Sequence, residues 1–447
     1  MGLFELLRRK SGPRVAFIGI DGVPYSLIMD NPDTFKNLNF IAANGSGGAM
    51  RSIVPPESSA CWPSITTGKN PGATGVYGFQ EREMGSYETY ISMGNDVHAK
   101  RVWELIKIAG REATIVNVPV TYPPQKDIQR MASGFLSPSV GKATSPLEFR
   151  EYLESIEYRI DVNSGLGHKS DKGDFLEDAF LTLEKRFEAF KYCIEKNDWD
   201  LFFGVFMTTD RVNHFLYGDY ESEGKYLDEF LEFYKKLDEY IGILNHMMPE
   251  DVIKIIASDH GFTTLKYQFY ANEWLRKQGW LKYKNKGESG LENVSCESKA
   301  YSMIPGRFYI NLENREWDGK IEGKDYEVVR KELKDMLMEI KSPDGEPVMD
   351  HIWNSEEVFR GDNTENAPDL VAIPNNGFDL KSSFEQKENI FDVGPRSGMH
   401  TFENASLIIS KPGVNMEGCN LYDIAPTILD IMEIEYAPEY FDGKSLI

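Results

Sequence analysis

The run RVAFIGIDG, Arg14 to Gly22, is apolar and rich in β-formers, and it stops abruptly at Asp-Gly. A short run without alternation of polar and apolar residues describes a strand buried on both faces, as in a parallel sheet. The same design recurs in ATIVNVPVTYPP (113–124), DLFFGVFMTTD (200–210) and DVIKIIASDHG (251–261), and later in APDLVAIP (367–374) and ASLIISKPG (405–413). Helical stretches lie between them, at 175–196 and 225–247. Strands alternating with helices predict an α/β fold, a mostly parallel sheet covered by helices on both faces. In such sheets the chemistry sits beyond the carboxyl ends of the strands.

From about Gln268 to Val348 the chain becomes charged and turn-rich. This segment is expected to be a smaller inserted cap. It divides a core formed first by 1–267 and completed by 349–447, with APDLVAIP bringing the chain back to the main sheet.

The 447 residues are 41% hydrophobic and 27% charged, as in ordinary globular proteins. Lys and Arg number 49 against 71 Asp and Glu, a net charge of −22. A field of that sign repels polyphosphate backbones, so no nucleic-acid partner is expected. An anionic substrate would need a local positive site, which metal ions would supply. Cys61, Cys193, Cys296 and Cys419 are far apart and form no CxxC pair, the pattern of reduced thiols in a cytoplasmic protein. No apolar run reaches the roughly 18 residues of a transmembrane helix. The start, MGLFELLRRKSGPR, lacks the features of a signal peptide. It is expected to be a basic tail, with a weaker alternative of membrane-surface contact through residues 1–10.

The ends of the predicted strands gather metal-ligand types. Asp21 ends the first, Asp210 follows FFGVFMTT, and Asp259-His260 ends VIKIIAS. In TTDRVNH, Asp210 and His214 are four apart, so one helical turn aims both at one point. SGMH places His400 just before another strand. Alone, each residue has a structural reading: a cap, a solvated pair, a turn, a core histidine. Together, three carboxylates and three imidazoles suit Zn²⁺ or Mn²⁺, with enough ligands for two ions. His98, His168, His246 and His351 lack such partners and are read as structural. The window VPPESSACWPSITTGKNP (54–71) offers three candidate nucleophiles, Ser58, Ser59 and Cys61, and by itself does not choose among them.

These segments resemble the alkaline phosphatase superfamily, in its type I phosphodiesterase/nucleotide pyrophosphatase branch. The resemblance rests on FIGIDG, PPESSACWPSITTGKNPGATGVYGF, TTDRVNHF, SDHGF, NEWLRKQGWL, GRFYINL, APDLV, SGMH and YDIAPTILDIM. It implies an alkaline-phosphatase-like fold and a nucleophile ten residues before Gly68, which is Ser58. It implies one metal site at Asp21, Ser58, Asp259 and His260, and a second at Asp210, His214 and His400. Ser59 is then expected to cap the helix that follows. The implied activity is hydrolysis of phosphate diesters or monoesters of a small phosphorylated substrate through a covalent intermediate on Ser58. Two divalent ions would be used, zinc first and manganese second.

A cofactor-independent phosphoglycerate-mutase-type phosphomutase is the alternative, and a non-catalytic binding protein on the same fold a third reading. A sulfatase would mature Cys or Ser within C/S-x-P-x-R, but here Ile65 stands where the arginine belongs. Cys61 occupies the position of the asparagine that helps nucleotide pyrophosphatases bind phosphoryl oxygen, and Thr74 replaces a histidine common in relatives. Cys61, Lys299 and Arg307 are the expected substrate-binding residues. Trp62 is read as core packing.

Overall fold

The computed structural model describes residues 12–285 and 289–447. The N-terminal expectation, on residues 1–10, lies outside the described residues. Eight strands form the large sheet: β1 Arg14–Ile20, β2 Ser46–Met50, β3 Ala113–Val116, β4 Arg130–Ala132, β5 Thr144–Ser145, β6 Leu201–Phe206, β7 Val252–Ala257 and β8 Ala405–Ile409. Their order is β2-β8-β7-β1-β6-β3-β4-β5. The pairings that join β7, β1, β6, β3 and β4 are all parallel, as the buried apolar runs require. Along β1, Ala16, Ile18 and Ile20 enter the core on one face, while Val15 and Phe17 enter the core on the other.

Two sequence expectations fail here. ASLIISKPG does supply a strand of the large sheet, but β8 runs antiparallel to both β7 and β2. APDLVAIP does not return to that sheet. Its strand, Leu370–Pro374, pairs with Met349–Asn354 and Arg307–Ile310, and the latter pairs with Ala300–Ile304. The expected boundary at 348 therefore falls at the edge of a continuous small sheet with its own apolar core. Apolar β-rich composition marks a buried strand, whereas its partners are settled by tertiary packing.

The site depends on where β7, β1 and β6 end. They are adjacent and in level register, with Ile20 opposite Phe206 and Gly19 opposite Ala257. Neighbouring strands lie about 4.8 Å apart, so the residues following all three reach one spot. Two helices complete it. α1, Ser58–Thr67, is buried along its whole length and ends at Gly68, whose φ of 63° suits a residue without Cβ. α2, Thr208–Glu221, starts directly after β6.

Candidate active site

Asp21 follows β1, Asp259 and His260 follow β7, and Asp210 and His214 lie on α2. His400 arrives by another route. The antiparallel pairing of Gly261–Thr264 with Gly398–Thr401 sets it opposite Phe262, and its ring stacks on His260 at 3.6 Å between centroids. The six predicted ligands thus meet at one place. Ser58 joins them as the first residue of α1: its Oγ is 3.2 Å from His260 Nε2 and 3.4 Å from Asp21 Oδ1.

Two groups of ligand atoms form. The atoms offered by Asp21, Asp259 and His260 lie within 4.8 Å of one another, as do those of Asp210, His260 and His400. In the second region His400 Nε2 is 3.1 Å from both Asp210 Oδ1 and His214 Nε2, which are 3.4 Å apart.

The tautomers make these distances informative. His214 Nδ1 faces the Gly398 carbonyl at 3.2 Å, His260 Nδ1 the Gly261 carbonyl at 3.1 Å, and His400 Nδ1 the Pro56 carbonyl at 2.9 Å. A carbonyl only accepts, so each Nδ1 carries a proton and donates it, which leaves each ring, in its neutral form, with a bare Nε2. Bare nitrogens and carboxylate oxygens then face one another at little more than 3 Å. Such a set of acceptors is stable only around a cation or an added proton.

Electrostatics agree. Burial, reinforced by the charges of Asp259 and Asp210, pushes the Asp21 carboxyl well above the usual carboxylate range. Burial lowers His260 to about 4 and His214 well below the usual imidazole value, so both rings are neutral at pH 7. Burial works against His400 too, but its hydrogen bond to Asp210 holds it above the ordinary value. Asp259 Oδ2 is buried with no hydrogen-bond partner among the described residues. An orphaned carboxylate oxygen beside a neutral imidazole fits a metal ligand, and the donor set of Asp and His suits divalent cations.

The surroundings aim these groups. Trp62 Nε1–H donates to Asp21 Oδ2 at 2.7 Å, which turns Oδ1 toward Ser58. Gly19 makes this approach possible, because a Cβ there would lie 2.5 Å from the Trp62 ring. Trp62, read as core packing in preference to facing a substrate group, also orients the carboxylate of Asp21. Arg211 holds Asp210 Oδ2 at 3.0 Å through Nη1 and Asp161 Oδ2 through Nε and Nη2. Ser52 Oγ donates to the Asp259 carbonyl at 2.7 Å, and Thr209 Oγ1 to the Asp21 carbonyl at 2.5 Å. Arg211 was not singled out in the sequence, although it stands beside Asp210 in TTDRVNH.

A cavity of about 240 Å³ opens on the cluster between the large sheet and the small one. Ser58, Asp210, His214 and His400 line it, and so does Arg307. Arg307 is buried and paired with Glu57 at 2.9 Å, so its charge is already matched. The other two expected substrate contacts are not at this cavity. Lys299 is half exposed, lies over the Trp280 ring and faces Glu332 at 3.9 Å. Cys61 is fully buried with its thiol 3.4 Å from Ser52 Oγ, and burial pushes its pKa up. Ser59 does not cap α1 either. It lies inside the helix, and its hydroxyl has no partner among the described residues.

No helix among the described residues is long and apolar enough to cross a membrane. No curated protein matches the chain in sequence. Among solved structures, it resembles phosphonoacetate hydrolase from Sinorhizobium meliloti 1021, determined in complex with phosphonoformate, at 17% identity and a TM-score of 0.60 over 95% of this chain and 97% of that one. It also resembles human ectonucleotide pyrophosphatase/phosphodiesterase 5 (13%, 0.57, 96% and 97%). A third likeness is the wild-type alkaline phosphatase PafA (13%, 0.58, 98% and 99%). At these identities the likeness is one of fold. The profile of the type I phosphodiesterase/nucleotide pyrophosphatase family matches residues 15–402, which is most of the sequence. The chain, a phosphoester hydrolase with an alkaline-phosphatase-like fold, belongs to the type I phosphodiesterase/nucleotide pyrophosphatase family.

Proposed function

We propose that the protein hydrolyses a small phosphorylated substrate, a diester or monoester, with Ser58 as nucleophile and two divalent cations, zinc before manganese. The observation that carries this reading is the convergence of the Asp21, Asp259 and His260 ligand atoms beside the Ser58 hydroxyl, with those of Asp210, His214 and His400 gathered next to them. Asp21, Asp259 and His260, with Ser58, would hold one cation, and Asp210, His214 and His400 the other. When bound, the cations would lower the pKa of the serine hydroxyl and carry negative charge in the transition state.

The chain's own groups do the rest. α1 presents Ser58 at its first turn, with the Oγ at the cavity wall. Trp62 and Arg211 each occupy one oxygen of a ligand carboxylate, which fixes the direction of the other. Ser58 Oγ forms a bond to phosphorus as the ester oxygen leaves, and water then cleaves the phosphoserine ester and restores the hydroxyl. A cavity of 240 Å³ is small beside ordinary ligand pockets, which favours a compact substrate. The mutase alternative finds no support in the comparisons.

Ser58→Ala tests the assignment. On zinc-loaded protein, turnover of 4-nitrophenyl phosphate and bis(4-nitrophenyl) phosphate is expected to fall at least about a thousandfold. Metal content by elemental analysis should stay near two ions per chain. Undiminished turnover removes Ser58 from the mechanism.

A further inference from the structure

The four cations on the cavity wall are Arg211, Arg307, Lys381 and Arg396. Three are neutralised by the chain itself: Arg211 by Asp161 and Asp210, Arg307 by Glu57, and Lys381 by Asp379. Arg396 differs. It has no hydrogen-bond or ion-pair partner among the described residues, although it is only partly exposed and lines the same cavity as Ser58 and His400.

Its place is fixed by its neighbour. The Ser397 N–H donates to the His214 carbonyl at 2.8 Å, and the Ser397 carbonyl accepts from Leu265 N–H at 2.8 Å. The Ser397 hydroxyl also accepts from Gly218 N–H at 3.2 Å. The loop carrying Arg396 is therefore anchored to α2 and to the segment after His260, four residues before His400. It shares the cavity wall with His214, His400 and Ser58, which places it near the reacting centre. A guanidinium kept beside an active site without a carboxylate has an unused fork of donors, suited to a planar or tetrahedral anion.

We propose that Arg396 receives a second negative charge on the substrate, so that the substrate is a compact phosphoester whose alcohol portion carries a carboxylate or a further phosphate. This rests on the phosphoesterase reading and extends it to substrate class. The overall charge of −22 disfavours a second anionic group, so any preference for one must arise locally.

The test is binding, which does not depend on turnover. Three non-ester probes, propylphosphonate, 3-phosphonopropionate and propane-1,3-bisphosphonate, are titrated calorimetrically into the zinc-loaded full-length chain. At least one doubly functionalised probe is expected to bind about tenfold or more tightly than propylphosphonate, as a charge-assisted contact provides. The tighter of the two identifies the second group as carboxylate or phosphate. Arg396→Ala should bring the ratio close to one, and Arg396→Lys should restore part of it, which a purely structural role would not do. Equal affinities in the wild type, including none measurable for any probe, overturn the inference. So does Arg396→Ala weakening all three alike, because Arg396 would then serve the reacting phosphoryl group. Failure of the phosphoesterase reading would show separately, as a preserved ratio in a protein that hydrolyses neither nitrophenyl ester.

Discussion

Replacing Trp62 by Phe removes one donor from a fully buried carboxylate and leaves the rest of the site in place. The indole N–H lies 2.7 Å from Asp21 Oδ2, and both side chains are fully buried. A hydrogen bond to a charged group contributes about 1.5–3 kcal/mol, most of it felt when the partner is left unpaired. The indole also fills the space above Gly19 and meets Phe17 edge-on at 6.3 Å, so its truncation to phenyl opens a void costing about 1–2 kcal/mol. Together these come to about 2.5–5 kcal/mol. Urea unfolding of chelator-treated protein reads it as a lower midpoint at constant slope. Competition with a chromogenic chelator reads a second consequence: an Asp21 free to rotate should hold zinc about ten- to a hundredfold more weakly. A variant as stable as the wild type within about 0.5 kcal/mol, with undiminished zinc affinity, would show that the indole N–H neither steadies nor aims Asp21.

Three further outcomes are expected. Asp369 accepts from both Arg315 Nη atoms at 2.7 Å, from Tyr326 Oη at 2.6 Å and from Ile310 N–H, so Arg315→Leu leaves a buried carboxylate and should cost about 3–5 kcal/mol; an unchanged unfolding midpoint refutes this. Glu81 is raised by burial from 4.5 to about 8, against the opposing Tyr77 and Gly78 N–H bonds. Its contribution to stability is therefore full below pH 4.5 and lost as pH rises towards 8. Glu81→Gln should remove this dependence, so that the stability difference between variant and wild type varies with pH across that window; a difference flat with pH contradicts the assignment. Cys61, Cys193 and Cys419 are buried and Cys296 partly exposed, so Ellman's reagent should titrate about one thiol in the native protein and all four after denaturation. Rapid native labelling of Cys61 would mean that α1 is less tightly enclosed than its burial indicates.

Much of the site was legible because strand ends are. Asp21, Asp210 and Asp259-His260 follow three apolar runs, and adjacency of those strands is the natural arrangement of a parallel sheet. The spacing of Asp210 and His214 needed only a helix. Ser58 was harder: it could be chosen over Ser59 only by resemblance, since both lie in the first turn of the same helix. What escaped was pairing. Leu370–Pro374 has the composition of a core strand, and nothing local to it names Arg307–Ile310 as its neighbour. Charge compensation is equally nonlocal. Arg307 and Arg396 look alike in sequence, and only the fold brings Glu57 to the first and leaves the second without an acidic partner among the described residues. The contribution of Trp62 depended on a single N–H meeting a carboxylate 41 residues away.

The position of β8 also bears on synthesis. It is among the last strands made, yet it lies between β2 and β7 and pairs with both. A nascent chain that has emerged from the ribosome only as far as Thr401 already holds every proposed ligand, while two open strand edges flank an empty slot. Such edges invite pairing with other chains. Premature termination between His400 and Ala405 should therefore yield aggregates, not a weakened enzyme.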